Sequence, residues 1–283
     1  MNRRAVVRVP ASSANLGPGY DVLAAALSLE LELEVEQTGR FEVRSQVPDV
    51  PLDRTNLCVS AFEALHPAEE VTFRIRSEIP VSAGLGSSAA AIVAGLVAAN
   101  HLYALDAPLF ELAHALEGHP DNVAAALLGG FVICADDQPD RFDPVALFEG
   151  VLAIPSRAVP TVEARAALPP EVPLADAIHN VAHASLLVLG LQTGDPDLVG
   201  RGLADRIHQP RRQALYPRSI ELLGRARELG AVGASISGAG PAVLFWCLGD
   251  QVDQVIDGLR AEAADCLVRT VCFRAEGATV IPT

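Results

Sequence analysis

The feature that most constrains this chain is Pro80-Val81-Ser82-Ala83-Gly84-Leu85-Gly86-Ser87-Ser88, with an apolar run from Ala89 towards Leu105 behind it. The run is rich in Ala, Val, Leu and Gly and carries Asn100 and His101, so it reads as a buried helix rather than a membrane span. Gly84 and Gly86 lack a Cβ, which lets the backbone turn sharply and approach a phosphate closely. Ser87 and Ser88 add hydroxyl donors, and the first free N–H groups of the following helix point at an anion. The Gly-Lys-Ser/Thr ending of the Walker loop is missing, and the chain contains no lysine at all. Taken alone, the stretch fits a serine N-cap after an ordinary glycine turn equally well.

The surrounding chain alternates strand and helix patterns. Residues 4–9 read as a strand closed by Pro10, and 11–21 as a loop. Leu29, Leu31, Leu33 and Val35 alternate with Glu30, Glu32, Glu34 and Glu36, a half-exposed strand with a solvated acid row. Residues 41–47 read as its partner across the Thr38-Gly39 turn. A helix over 56–65 and a strand over 71–76 lead into the glycine loop. Further helices are expected at 109–117 and 123–128, a strand at 131–134 and a surface loop at 136–144. In the second half the pattern predicts a strand at 151–155, helices at 161–167, 175–191, 197–208, 217–229 and 251–263, and strands at 231–236, 242–247 and 267–274. This is a mixed α+β chain with two lobes, 1–150 and 151–283.

Charge and cysteine usage narrow the classes. With 283 residues, half of them hydrophobic and a fifth charged, the chain is long enough for a packed core. A net charge of −14 argues against a nucleic-acid or anionic-membrane surface. Cys58, Cys134, Cys247, Cys266 and Cys272 form no C-x-x-C pair, which points to reduced thiols in a cytoplasmic protein. The N-terminus carries Arg3 and Arg4 but no apolar stretch of signal-peptide length.

Four motifs in order resemble one family. Pro80-x-x-x-Gly84-Leu85-x-Ser87-Ser88-Ala89 is similar to the phosphate loop of the kinase superfamily named for galactokinase, homoserine kinase, mevalonate kinase and phosphomevalonate kinase, and Ser237-Gly238-Ala239-Gly240-Pro241 to its C-terminal motif. Residues 10–21 and Glu117-Gly118-His119-Pro120-Asp121-Asn122-Val123-Ala124 resemble the homoserine kinase branch, with Tyr20 where phenylalanine is usual and Ala125 where proline is frequent. Asp205-Arg206-Ile207-His208-Gln209-Pro210-Arg211-Arg212 is similar to a further signature, with Arg211 where an aromatic is common.

The resemblance implies an N-terminal lobe like domain 2 of ribosomal protein S5 and a ferredoxin-like C-terminal lobe. It implies ATP as co-substrate, held by Pro80, Val81, Ser82, Ala83, Gly84, Leu85, Gly86, Ser87, Ser88, Ala89 and Ala90. Asn56 is implied at the nucleotide base, where a helix-cap role competes. Ser88 and Glu117 look like magnesium ligands, hydroxyl and carboxylate being the hard donors this ion takes; the competing reading of Glu117 is a solvated helix-end carboxylate. L-homoserine is the implied small-molecule substrate. Asn15 and Asp21 suit its ammonium end, and Arg165 and Arg212 its carboxylate, with Thr161 one helical turn before Arg165. Asp121 lies where the reacting hydroxyl is expected, as general base or as orienter. His119 and Asn122 complete the implied site. The expectation is therefore a phosphotransferase with an alcohol acceptor. A kinase for another small alcohol and a non-catalytic nucleotide-binding regulator are the rivals, and homodimer formation stays open.

Overall fold

In the computed structural model, which describes residues 3–136, 138–143, 148–156 and 161–282, strand alternation organises the first half. β1 (Arg4–Ala14) and β2 (Leu23–Gln37) pair antiparallel along their length. Leu29, Leu31, Leu33 and Val35 are buried. The glutamates between them meet arginines of the neighbouring strands: Glu32 accepts from Arg8 at 3.0 Å, and Glu34 from Arg4 at 3.1 Å and Arg74 at 2.8 Å. Exposed pairs of this kind contribute at most about 1 kcal/mol each, so the apolar row holds the sheet.

Two sequence expectations fail here for identifiable reasons. β1 continues past Pro10, with a register shift between Pro10 and Ala11, so residues 11–14 belong to a strand and not to a loop. β3 (Glu42–Ser45) does not fold back on β2. It runs parallel to β4 (Val71–Ser77), which lies between them, because α1 (Leu57–Glu63) provides the long crossover that a parallel pair requires.

The apolar run becomes α2 (Ser87–Tyr103), buried from Ala89 to Ala99 except at Ala91. A Cβ on Gly95 would lie 2.2 Å from the Cys58 carbonyl oxygen, so only a glycine lets α1 pack this closely. α3 (Leu109–Glu117) and α4 (Pro120–Leu128) follow, then β5 (Phe131–Ala135) beside β2. Much of the expected surface loop is a strand, β6 (Gln138–Phe142), paired with β5 and anchored by Phe142 against Phe131 at 5.4 Å between ring centres.

β7 (Phe148–Pro155) opens a second sheet, so the expected boundary at residue 150 falls inside a strand. Among the described residues, four α-helices and a 3₁₀ turn come next: α5 (Thr161–Ala166), α6 (Leu174–Thr193), α7 (Pro196–Gly202), the 3₁₀ turn at 210–212 and α8 (Pro217–Gly224). β8 (Gly233–Ile236), β9 (Val243–Leu248), α9 (Val252–Glu262) and β10 (Cys266–Cys272) complete the sheet in the order β10-β7-β9-β8, antiparallel throughout. The helices expected over 197–208 and 217–229 stop earlier. After α7 the Asp205 carboxylate takes the N–H groups of Ile207, His208 and Gln209, supplanting helical partners. The last strand, β11 (Thr279–Ile281), returns to β1 and was not expected.

α6 is long and apolar enough to cross a membrane by length and composition, a property the sequence reading assigns to no segment. It packs along α7, and its buried Asn180 donates to the Pro18 carbonyl at 3.1 Å and to Asp205 at 2.7 Å. The main core runs through both halves: Leu152, Leu244, Trp246 and Val271 of the second sheet pack in one cluster with β1, β2 and α2. The cleft between the halves is therefore held by shared apolar packing.

Candidate active site

Three loops meet at this cleft. The segment 82–86 turns through positive φ at Ser82, Gly84 and Gly86 and delivers the chain into α2. It is fastened on one side to β1, the Ser12 N–H donating to the Leu85 carbonyl at 3.1 Å. On the other side the Ser237 hydroxyl donates to the Gly84 carbonyl at 2.7 Å, and the Ala242 N–H to the Ala83 carbonyl at 3.1 Å. A Cβ on Gly84 would sit 2.3 Å from the Ser237 carbonyl oxygen, so this contact between distant segments needs glycine. α2 begins without a side-chain cap, which leaves its first N–H groups available to an anion.

Two carboxyl groups beside that loop are perturbed. Glu117 ends α3 and accepts a 2.5 Å hydrogen bond from the Ser88 hydroxyl; burial raises its pKa, and the serine bond opposes the rise. Asp121 lies in the first turn of α4, where the helix dipole favours a negative charge by up to about 2 kcal/mol. Burial wins. Asp121 is 2% exposed and its carboxyl is pushed up to about 7, against the Asn122 N–H that donates to it at 2.8 Å. Asn122 is itself held by the Ser12 hydroxyl, which donates to its Oδ1 at 2.8 Å.

The opposite wall carries the arginines. Asn15, at a φ of 68°, donates to the Gly238 carbonyl at 2.8 Å and accepts from the Asp21 N–H at 3.0 Å. Asp21 then meets Arg165 of α5 through two hydrogen bonds of 3.0 and 2.5 Å. Arg212 is 1% exposed and donates to the carbonyls of Gly238 at 3.0 Å and Ala164 at 3.3 Å. It also donates to His208 Nδ1 at 3.1 Å, while His208 Nε2 lies 2.7 Å from the Gly17 carbonyl. Nδ1 must accept and Nε2–H must donate, so the geometry assigns a neutral tautomer. Burial supports it, holding His208 down to about 4. Both guanidinium groups face the Tyr20 ring, at 5.4 Å for Arg165 and 5.8 Å for Arg212. His119 lines the cleft too, and burial lowers its pKa, which keeps it neutral at pH 7.

Asn15, Asp21, Ser82, Gly84, Leu85, Gly86, Ser87, Ser88, Glu117, His119, Asp121, Asn122, Thr161, Arg165 and Arg212 thus line one cleft. Other residues expected from the motifs do not. Asn56 caps α1: its Oδ1 accepts from the Cys58 N–H at 3.0 Å and its Nδ2 donates to the Pro51 carbonyl at 2.8 Å. Ala89 and Ala90 are core residues of α2, Ala83 is buried, and Pro80 and the exposed Val81 lie outside the cleft lining. Asp205 and His208, given no role beyond their place in the 205–212 signature, and Asn180, which no motif contains, form the support behind Arg212. The signal in the sequence is that 205–212 signature, and the side chains of Asp205 and His208 are fully buried there. Among the described residues no three His, Cys, Asp or Glu side chains gather as a metal cage.

The chain matches the family model for the GHMP kinase N-terminal domain over residues 56–130 and that for the GHMP kinase C-terminal domain over 187–265. It is 39% identical over 261 residues to a homoserine kinase of Moorella thermoacetica, covering 87% of this chain and 88% of that one. It is 42% identical over 270 residues to a homoserine kinase of Synechococcus, covering 89% and 88%. Its fold superposes on the crystal structure of a homoserine kinase from Cytophaga hutchinsonii with a TM-score of 0.87 at 27% identity, covering 99% and 98%. The fold also matches a mevalonate kinase of L. major, with a TM-score of 0.72 at 17% identity, covering 98% and 97%.

Proposed function

This chain belongs to the GHMP kinase family, and we propose that it transfers the γ-phosphoryl group of ATP to the side-chain hydroxyl of L-homoserine, giving O-phospho-L-homoserine, a step towards threonine. One observation carries the reading. A glycine loop at a helix N-terminus, a buried carboxyl with its pKa near neutrality and an acid–arginine wall suited to an amino acid share a single cleft. Homoserine kinases about 40% identical over most of the chain support the choice of substrate.

In this reading segment 82–88 cradles the ATP phosphates through backbone N–H groups and the start of α2. The substrate ammonium goes to Asp21, with Asn15 holding that side of the loop, and its carboxylate to Arg165 and Arg212. The hydroxyl is then directed at Asp121. Its oxygen forms a bond to the γ-phosphorus, the bond from that phosphorus to the bridging oxygen of ADP breaks, and the hydroxyl proton passes to Asp121. A carboxyl with a pKa of about 7 is well matched to accept a proton at neutral pH. With no lysine in the chain, the remaining acceleration comes from positioning and from preorganised N–H dipoles.

Ser88 and Glu117 fit a magnesium ion. Their oxygens are hard donors 2.5 Å apart, and among the described residues the half-buried Glu117 carboxylate accepts from Ser88 rather than from a cationic side chain. When bound there, the ion supplies charge neutralisation to the phosphates. The second sheet, with strand order β10-β7-β9-β8, is read as ferredoxin-like and the first lobe as resembling domain 2 of ribosomal protein S5. Five free cysteines support a cytoplasmic setting. The test is a coupled ADP-release assay with ATP, magnesium and a panel of alcohols. Turnover is expected with L-homoserine; release with mevalonate or galactose and none with L-homoserine would overturn the assignment.

A further inference from the structure

The contact between Asp21 and Arg165 has the form of a substrate interaction. Nη1 donates to Oδ2 at 3.0 Å and Nη2 to Oδ1 at 2.5 Å, the paired fork by which an arginine holds a carboxylate. The two side chains come from opposite halves of the molecule, the loop after β1 and α5. Each is about one third exposed, 34% for Asp21 and 33% for Arg165, and each lines the cleft beside Asp121. Arg212, by contrast, is tied to two carbonyls and to His208 and is 1% exposed, so it is a fixed cation. Among the described residues Arg165 hydrogen-bonds only to Asp21; it packs beside Tyr20 and is the cation free to change partner.

We propose that the Asp21–Arg165 pair is an internal competitor for the substrate's two charges and is exchanged for them, Asp21 taking the ammonium and Arg165, with Arg212, the carboxylate. The inference rests on reading the cleft as an amino-acid site. A zwitterion breaks one ion pair and makes two, rehousing both partners. An alcohol with a single charge breaks the same pair and rehouses only one of them, leaving the other facing water in a half-buried site. The pair therefore acts against singly charged alcohols as well as for amino acids, and selectivity commonly needs such an opposing element.

The exchange makes an unusual prediction, a gain of binding on removing a binding residue. Calorimetric titration of the full chain would use three probes: L-homoserine, 3-aminopropanol, which lacks the carboxylate, and γ-hydroxybutyrate, which lacks the ammonium. In Arg165→Met, Asp21 no longer has an internal partner, so 3-aminopropanol binds about tenfold tighter than in the parent, the size of a partly exposed bidentate pair. Arg165→Lys keeps the charge and loses the fork, and also binds 3-aminopropanol more tightly. Asp21→Asn, on the other half of the molecule, binds γ-hydroxybutyrate more tightly. All three variants lose affinity for L-homoserine, and their thermal melts report on folding. Unchanged or weaker analogue binding in folded variants overturns the exchange. A gain in Arg165→Met without one in Arg165→Lys also overturns it, because through-space repulsion then accounts for the result. If the parent itself fails to bind L-homoserine, it is the amino-acid reading of the cleft that falls.

Discussion

Replacing Asp121 by asparagine tests, in one variant, both the proton acceptor and the cost of keeping it. The carboxyl is 2% exposed, and burial lifts its pKa from 3.8 to about 7. At about 1.36 kcal/mol per tenfold change in proton affinity, the ionised form is disfavoured in the folded chain by about 4 kcal/mol. The sign follows from the direction of the shift. The folded chain holds this proton more tightly than the unfolded chain, so the group's full contribution is present below about pH 4. It is lost as pH rises to about 7, and little changes above that. Asparagine stays neutral throughout and keeps an oxygen to accept from the Asn122 N–H. Its new amide donors need partners, a cost of about 1–3 kcal/mol. The variant is therefore expected to be more stable than the parent by about 2 kcal/mol near pH 8 and to lose that advantage near pH 4. Urea unfolding across this pH range measures the difference, and coupled ADP release measures turnover, which should fall about a hundredfold or more if Asp121 takes the hydroxyl proton. Equal pH slopes for the two proteins, or a parent more stable near pH 8, would refute the electrostatic reasoning. A small change in kcat would leave Asp121 the role of orienting the hydroxyl.

Three further outcomes are expected. Gly84→Ala places a Cβ 2.3 Å from the Ser237 carbonyl at a φ of +81°; it should cost about 2 kcal/mol or more in a thermal or urea melt and raise KM for ATP. Glu117→Gln removes the anionic oxygen beside Ser88, and a magnesium titration of activity should show the requirement rising about tenfold or more. Arg212→Lys keeps a charge but cannot bridge Gly238, Ala164 and His208 together. KM for L-homoserine should rise about tenfold or more with KM for ATP nearly unchanged; a reversal of that split would remove Arg212 from the substrate site.

By itself the sequence determined whatever depends on near neighbours. The alternation of Leu29 to Glu36 settles which face of β2 is buried, and the Ala-rich run after Ser88 can only be an interior helix. The order of the glycine, serine and His-Pro-Asp-Asn motifs is legible because each is a local run. Only the tertiary structure decided matters that depend on residues far apart in the chain. β3 pairs with β4 because α1 carries the chain across, and β11 returns to β1 from the far end. Asn56 is spent on capping α1, which its local sequence allows as readily as a ligand contact. Asp205, read as part of a helix, instead gathers three N–H groups and, with His208, supports Arg212. The charge of Asp121 is likewise not written in its motif. A carboxylate at a helix N-terminus is ordinarily ionised; here burial outweighs the helix dipole, and burial is a property of the whole fold.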